Sequence, residues 1–114
     1  MEKIVEQSLL YDFYGELLTE HQRQIYEAAV FDDYSLAEVA GEYGISRQGV
    51  HDLLKRCNHL LAEYEDKLHL VEKFMDAKKK VADIEALTGE LKKGPNPEAL
   101  SRIETICKEL LEDL

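Results

Sequence analysis

The sequence predicts an all-α protein: a helix-turn-helix core, resembling no sheet-containing class, followed by a long helix and an antiparallel C-terminal helix. Three observations carry this expectation. Apolar residues recur along the chain at the three- and four-residue spacing of a helix face, and no strand pattern survives beside them. Residues 35–50 set a glycine turn between two short amphipathic segments, the arrangement in which one helix braces the next. Capping signals at Thr19 and Ser35 open successive helices, and Gly94-Pro95-Asn96-Pro97 separates the last two. The expected organisation is an N-terminal helix plus helix-turn-helix core over residues 1–60, and a helical extension over 61–114 that serves oligomerisation.

The first helix is expected from about 3 to 18. Leu9 and Leu10, Phe13 and Tyr14, and Leu17 and Leu18 stand four residues apart in pairs, with Val5 extending one row. Such a broad stripe marks a helix that packs on something, because a lone helix of this length is marginal in water. Thr19-Glu20-His21-Gln22 then forms a capping box, and the helix it opens carries Ile25, Ala28, Ala29 and Phe31 before ending at Asp32-Asp33. Ser35-Leu36-Ala37-Glu38 is a second box, with Leu36, Val39, Ala40 and Tyr43 expected to face inward. Gly44 suits the left-handed residue that ends this helix, and Ser46 can cap the next.

From Val50 the apolar positions become regular: Val50, Leu54, Cys57, Leu61, Tyr64, Leu68, Val71 and Met75 alternate steps of four and three. This heptad seam predicts one long helix, or two in register, and leaves open whether the helix from Ser46 continues past Asn58. After Lys78-Lys79-Lys80 the phase resumes as Val81, Ile84, Leu87 and Leu91. Gly94 stops that helix, Asn96 caps the last one and Pro97 occupies its first position. Leu100, Ile103, Cys107, Leu110 and Leu114 form a second stripe, widened by Ile106 and Leu111. The short connection folds the last helix back antiparallel.

Composition narrows the function classes. Net charge is −10, which counts against indiscriminate nucleic-acid binding. Residues 1–66 hold fourteen acids and five bases, a balance of −9, whereas residues 67–114 are near neutral. No apolar run is long enough to span a membrane, and the N-terminus lacks the features of a signal peptide, so a cytoplasmic protein with no membrane partner is expected. Cys57 and Cys107 belong to no CxxC and read as reduced thiols buried like small apolar residues. The histidines at 21, 51, 59 and 69 miss the one-turn spacing of a helical metal pair, so no metal site is expected. No phosphate-binding loop or nucleophile elbow appears, so neither an enzyme nor a cofactor is expected. The lysines at 73, 78–80, 92 and 93 read as a solvated helix face.

The residues with chemistry to offer stand at the start of the helix opened by Ser46. Arg47, Gln48, His51, Asp52, Lys55 and Arg56 face outward, while Val50, Leu53 and Leu54 serve the core. Arginine matches the acceptor edge of guanine and glutamine the two-sided edge of adenine. Lys55 and Arg56 suit phosphate contacts, and Ser46 with the helix N-terminus can donate to a phosphate. The candidate DNA-binding residues are therefore Ser46, Arg47, Gln48, His51, Lys55 and Arg56.

The stretches Leu18-Thr19-Glu20-His21-Gln22-Arg23, Tyr34-Ser35-Leu36-Ala37-Glu38-Val39-Ala40 and Gly44-Ile45-Ser46-Arg47-Gln48-Gly49-Val50 resemble region 4 of bacterial sigma factors. Gly49 departs from that pattern, which usually carries threonine there. Over its length the chain resembles the YlxM-like family of small bacterial helix-turn-helix proteins, through residues 32–36, Ser46-Arg47-Gln48, and Ala62-Glu63-Tyr64-Glu65-Asp66-Lys67-Leu68. The resemblance implies a DNA-binding protein commonly encoded beside components of the signal recognition particle. Two functions follow as expectations. One is a DNA-binding regulator, working as a homodimer and associated with that targeting pathway. The alternative is a protein-binding adaptor of the particle, in which the helix-turn-helix is a scaffold.

Overall fold

Each start signal read from the sequence has a helix behind it. The computed structural model describes residues 3–114, and no strand occurs among them. The α-helices are α1 (Lys3–Tyr14), α2 (Glu20–Tyr26), α3 (Leu36–Tyr43), α4 (Arg47–Leu68), α5 (Leu70–Leu91) and α6 (Pro97–Asp113). Both capping boxes close. Thr19 Oγ1 accepts from the Gln22 N–H at 3.1 Å while Gln22 Oε1 accepts from the Thr19 N–H at 2.9 Å. Ser35 and Glu38 exchange the same pair of bonds. Each box satisfies two backbone donors that the first turn would otherwise leave unpaired.

The chain divides into two units, Met1–His69 and Leu70–Leu114. The helix from Ser46 does continue past Asn58, as far as Leu68. There His69 adopts a left-handed φ of 56° and its N–H bonds the Glu65 carbonyl at 2.8 Å. The regular seam from Val50 to Met75 is therefore shared by two helices, α4 and α5.

In Met1–His69, α4 is packed by α1, α2 and α3 in turn. Ile25, Val39 and Val50 form the centre of the core, with Ala28 and Ala40 beside them and Ile45, Leu53 and Leu54 closing its edge. Burying an aliphatic side chain of this size stabilises the fold by about 1.5–3 kcal/mol. Three expectations for this unit are revised. Helix α1 ends at Tyr14 and a 3₁₀ turn takes Gly15–Leu17; of the broad stripe Tyr14 and Leu18 are buried and Leu9 and Leu10 half-buried, while Val5, Phe13 and Leu17 are exposed. Gly15 permits the tight exit, since a Cβ there would meet the Tyr11 ring at 3.0 Å. After Tyr26 the chain widens into a π-helical turn, Glu27–Phe31, closed by the Asp32 N–H on the Glu27 carbonyl at 3.0 Å. That extra residue per turn carries Phe31 against the rings of Tyr11 and Tyr26, with centroids 5.3 and 5.9 Å apart. Leu36, expected inside, is exposed.

The unit Leu70–Leu114 is a helical hairpin. Asn96 caps α6 by accepting from the Ala99 N–H at 3.1 Å, with Pro97 at the first position. The two helices run antiparallel, and Lys80 of α5 reaches Asp113 of α6 at 3.2 Å. Cys107, expected to be buried, is exposed on α6, whereas Cys57 is fully buried in α4; both thiols are free.

Candidate nucleic-acid interface

Local sequence sets the turn that presents the start of α4. Gly44 takes φ 67° and ψ 33°, a conformation that costs a residue without Cβ nothing. The Ile45 N–H then bonds the Ala40 carbonyl at 3.1 Å and the Ile45 side chain packs on the core. The next residue, Ser46, is extended, and its Oγ accepts from the Gly49 N–H at 2.9 Å. The short α3 and the long α4 thus meet across Gly44-Ile45-Ser46, and the inward face of α4 is anchored by Val50, Leu53 and Leu54.

All six candidate residues lie on that exposed start. Ser46, Arg47, Gln48, His51, Lys55 and Arg56 are each exposed, and the only acid among residues 45–58 is Asp52. Among the described residues, Arg47, Lys55 and Arg56 form no ion pair. The Ser46 oxygen is occupied as an acceptor, but its hydroxyl proton remains available to an acceptor outside. Asp52 orders its neighbours: Gln48 Nε2 donates to Asp52 Oδ1 at 2.9 Å, and His51 Nδ1 lies 3.7 Å from the same oxygen. One hydrogen of the Gln48 amide is therefore engaged, and the other, with Oε1, still faces outward.

Sequence reading missed what holds α4 from behind. Tyr26, fully buried on α2, donates to Asn58 Oδ1 at 2.7 Å. Burial, with a smaller effect from the neighbouring Cys57, pushes the Tyr26 hydroxyl up to about 12. From α1, Tyr14 donates to Glu65 Oε1. Tyr11 stacks on Tyr26, centroids 5.3 Å apart and planes 10° from parallel, and donates to Glu27 Oε1; burial and that carboxylate hold its hydroxyl well above the ordinary range. Burial also raises the Cys57 thiol, which keeps it protonated and unreactive at neutral pH. The sequence signal for these bonds was present in part. Tyrosines that fall on an apolar stripe must find a partner for each hydroxyl when buried.

A capped helix pair, a three-residue turn and an anchored, outward-facing second helix define a helix-turn-helix protein. The particular family follows from comparison: the chain belongs to the family described as "Putative helix-turn-helix protein, YlxM / p13 like", which matches residues 1–96. A UPF0122 protein of Desulforamulus reducens is 42% identical over 105 residues, covering 92% of this chain and 90% of its own. A UPF0122 protein of Bacillus thuringiensis is 41% identical over 108 residues, covering 95% and 97%. Another, from Caldanaerobacter subterraneus subsp. tengcongensis, reaches 52% over 77 residues, covering 68% and 66%.

Proposed function

We propose that this protein binds double-stranded DNA through the start of α4 and acts as a regulator, working as a pair of copies. The observation that supports this best is the exposed, unpaired cationic set Arg47, Lys55 and Arg56 on a helix whose opposite face is locked into the core. Arg47 and Gln48 would meet base edges, with Lys55, Arg56 and Ser46 on phosphates and His51 at the groove wall. A pair would place two such helices on half-sites about 34–36 Å apart. Asp52 sets the affinity: a carboxylate among three cations faces the phosphates and weakens attraction. Binding should therefore be modest and strongly salt-dependent.

The test is titration of labelled duplex from the chain's own promoter region, with anisotropy as the readout. Arg47→Ala and Lys55→Ala should each weaken binding, and Lys55→Ala should lower the salt slope by about one unit. Asp52→Ala should tighten it by roughly twofold, the size of one surface charge near a phosphate. Unchanged binding in both cation variants would remove the DNA reading.

A second reading has its own support. Residues 1–69 hold fourteen acids against six bases, a surface suited to a basic protein. On this reading the chain is an accessory factor of the signal recognition particle, consistent with the family's resemblance, and α3–α4 is a scaffold. Capture of the particle's protein by the purified chain, undiminished in Arg47→Ala, would favour it.

A further inference from the structure

We propose that Asn58 holds a phosphate of the DNA backbone, with Lys55 and Arg56 beside it, and that Tyr26 is the positioning residue that turns its amide outward. This deepens the DNA reading above and rests on it.

Asn58 stands where the buried side of α4 meets its surface, and it is half-buried. Its Oδ1 accepts from the fully buried Tyr26 hydroxyl at 2.7 Å. Among the described residues that hydroxyl has no other acceptor for its proton, so the amide oxygen must face it. A side-chain amide carries its oxygen and its nitrogen on opposite sides. Fixing Oδ1 on Tyr26 therefore turns Nδ2, with two N–H donors, away from the core. Among the described residues Nδ2 has no partner.

The surroundings of that nitrogen suit an anion. Asn58 lines a shallow groove on α4 with Asp52, Lys55, Arg56 and His59. Lys55 and Arg56 are exposed and, among the described residues, form no ion pair. The acid of the groove, Asp52, already accepts from Gln48 at 2.9 Å. His59 Nε2 lies 3.3 Å from Glu63, one turn further on. Two free cations and an amide with both donors open are matched by an oxyanion.

Position along α4 selects a phosphate over a base edge. Asn58 follows Arg47 by eleven residues. At about 100° per residue it lies within about 20° of Arg47 around the helix, so both address the same side. At about 1.5 Å per residue it lies about 16 Å further along the axis, whereas the major groove is only about 12 Å wide. With Arg47 among the bases, Asn58 has passed the edge of the groove and stands over the flanking backbone. Tyr26 needs only an acceptor, and aspartate would give it a stronger, charge-assisted one. Asparagine offers the same acceptor inward and keeps neutral donors outward, which serves a phosphate rather than the fold.

The experiment uses the full chain and the labelled promoter duplex, unmodified and with single phosphates replaced in turn by neutral methylphosphonate. On the unmodified duplex Asn58→Asp should weaken binding about tenfold, the size of a lost hydrogen bond to a charged group, without lowering the urea midpoint. Tyr26→Phe should weaken it roughly twofold, because an amide free to turn presents its oxygen about half the time. Its salt slope should stay unchanged, since no charge is altered. At one methylphosphonate position the Tyr26→Phe loss should vanish and the Asn58→Asp loss should shrink to roughly twofold, the effect of one surface charge. An Asn58→Asp loss equal at every position would be general repulsion and would overturn the contact. So would wild-type binding in Asn58→Asp, with the DNA reading left standing. No effect of Tyr26→Phe overturns the positioning role alone. Absence of binding by the unaltered chain removes the DNA reading, and this contact with it. Should Asn58→Asp lose helix by circular dichroism, the unaltered chain decides through the side-chain amide signals of Asn58 in nuclear magnetic resonance. The chain has one other asparagine, the Asn96 cap, so those signals are readily assigned. They should shift on adding the unmodified duplex, and a signal that does not move overturns the contact.

Discussion

The two units bury their apolar residues to different depths. In Met1–His69, Ile25, Tyr26, Val50, Cys57 and Leu61 are all fully removed from solvent. In Leu70–Leu114 the deepest side chains are Val71, Ala99 and Ile106, each still a few per cent exposed, while Val81, Leu100 and Leu111 stand in solvent. The cause is geometric. Helix α4 is gripped by three helices, so its apolar stripe is enclosed, whereas two helices side by side can cover only the strip between them. The difference teaches how each unit is built. One holds the polar start of α4 on an enclosed core; the other leaves Val81, Leu100 and Leu111 exposed.

The largest test of this contrast is a pair of truncations. Ile25→Ala should destabilise the Met1–His69 unit by about 2–5 kcal/mol, because the site is enclosed and cannot collapse freely. Leu100→Ala, at an exposed position, should cost less than about 0.5 kcal/mol. Urea unfolding followed by circular dichroism measures both. Equal costs would break the comparison.

A smaller effect sharpens it through pH. All six tyrosines lie between residues 11 and 64, and none follows residue 69. Tyr26 ionises at about 12 in the fold, against an ordinary value of 10.0, because burial penalises its anion. The folded state thus keeps its proton longer than the unfolded chain. The associated stability is complete below about pH 10 and is lost as pH rises from there to about 12. The hairpin has only Lys80 as a counterpart, raised by its bonds to Asp76 and Asp113 and set in an exposed cluster of little energetic weight. Unfolding midpoints measured from pH 8 to 11.5 should therefore fall in Met1–His69 first, as read by tyrosine fluorescence. Tyr26→Phe should lessen that slope, the part that remains belonging to Tyr11, whose hydroxyl is raised as well. A slope unchanged by Tyr26→Phe would assign the titration elsewhere.

Much of the fold was legible because its signals are local. Thr19, Ser35, Ser46 and Asn96 cap the helices they were expected to cap, and Gly44 takes the left-handed turn, since each acts on backbone groups within three or four residues. The candidate residues of α4 could be placed on one exposed face for the same reason: helix period sorts them from Val50 and Leu54. What stayed hidden depends on ring packing and on single backbone choices that an apolar period does not record. Helix α1 ends at Tyr14 beside Gly15, where a Cβ would meet the Tyr11 ring, and the π turn at Glu27–Phe31 sets Phe31 among rings from α1 and α2. The break at His69 interrupts a seam whose apolar period runs straight through it. Periodicity records which side of a helix is apolar, and a single left-handed residue leaves that record unaltered.

The smallest predicted effect concerns Gly49, the residue that departs from the sigma-factor pattern. In a helix, glycine costs about 1 kcal/mol relative to alanine, so Gly49→Ala should by that measure stabilise α4. Its position opposes the gain. A Cβ at Gly49 would stand 3.1 Å from Ser46 Oγ and 3.8 Å from Ile45 Cβ, and that Oγ is the atom that caps the helix through the Gly49 N–H. The serine must give by a few tenths of an ångström, and a weakened cap forfeits up to about 1 kcal/mol. The two effects nearly cancel, and the net change should stay within about 0.5 kcal/mol by urea unfolding. A full 1 kcal/mol of stabilisation would mean that Ser46 moves without loss. The glycine would then owe its place to the outward surface of α4, where a side chain meets whatever docks there, and Gly49→Ala would be expected to weaken docking while strengthening the fold.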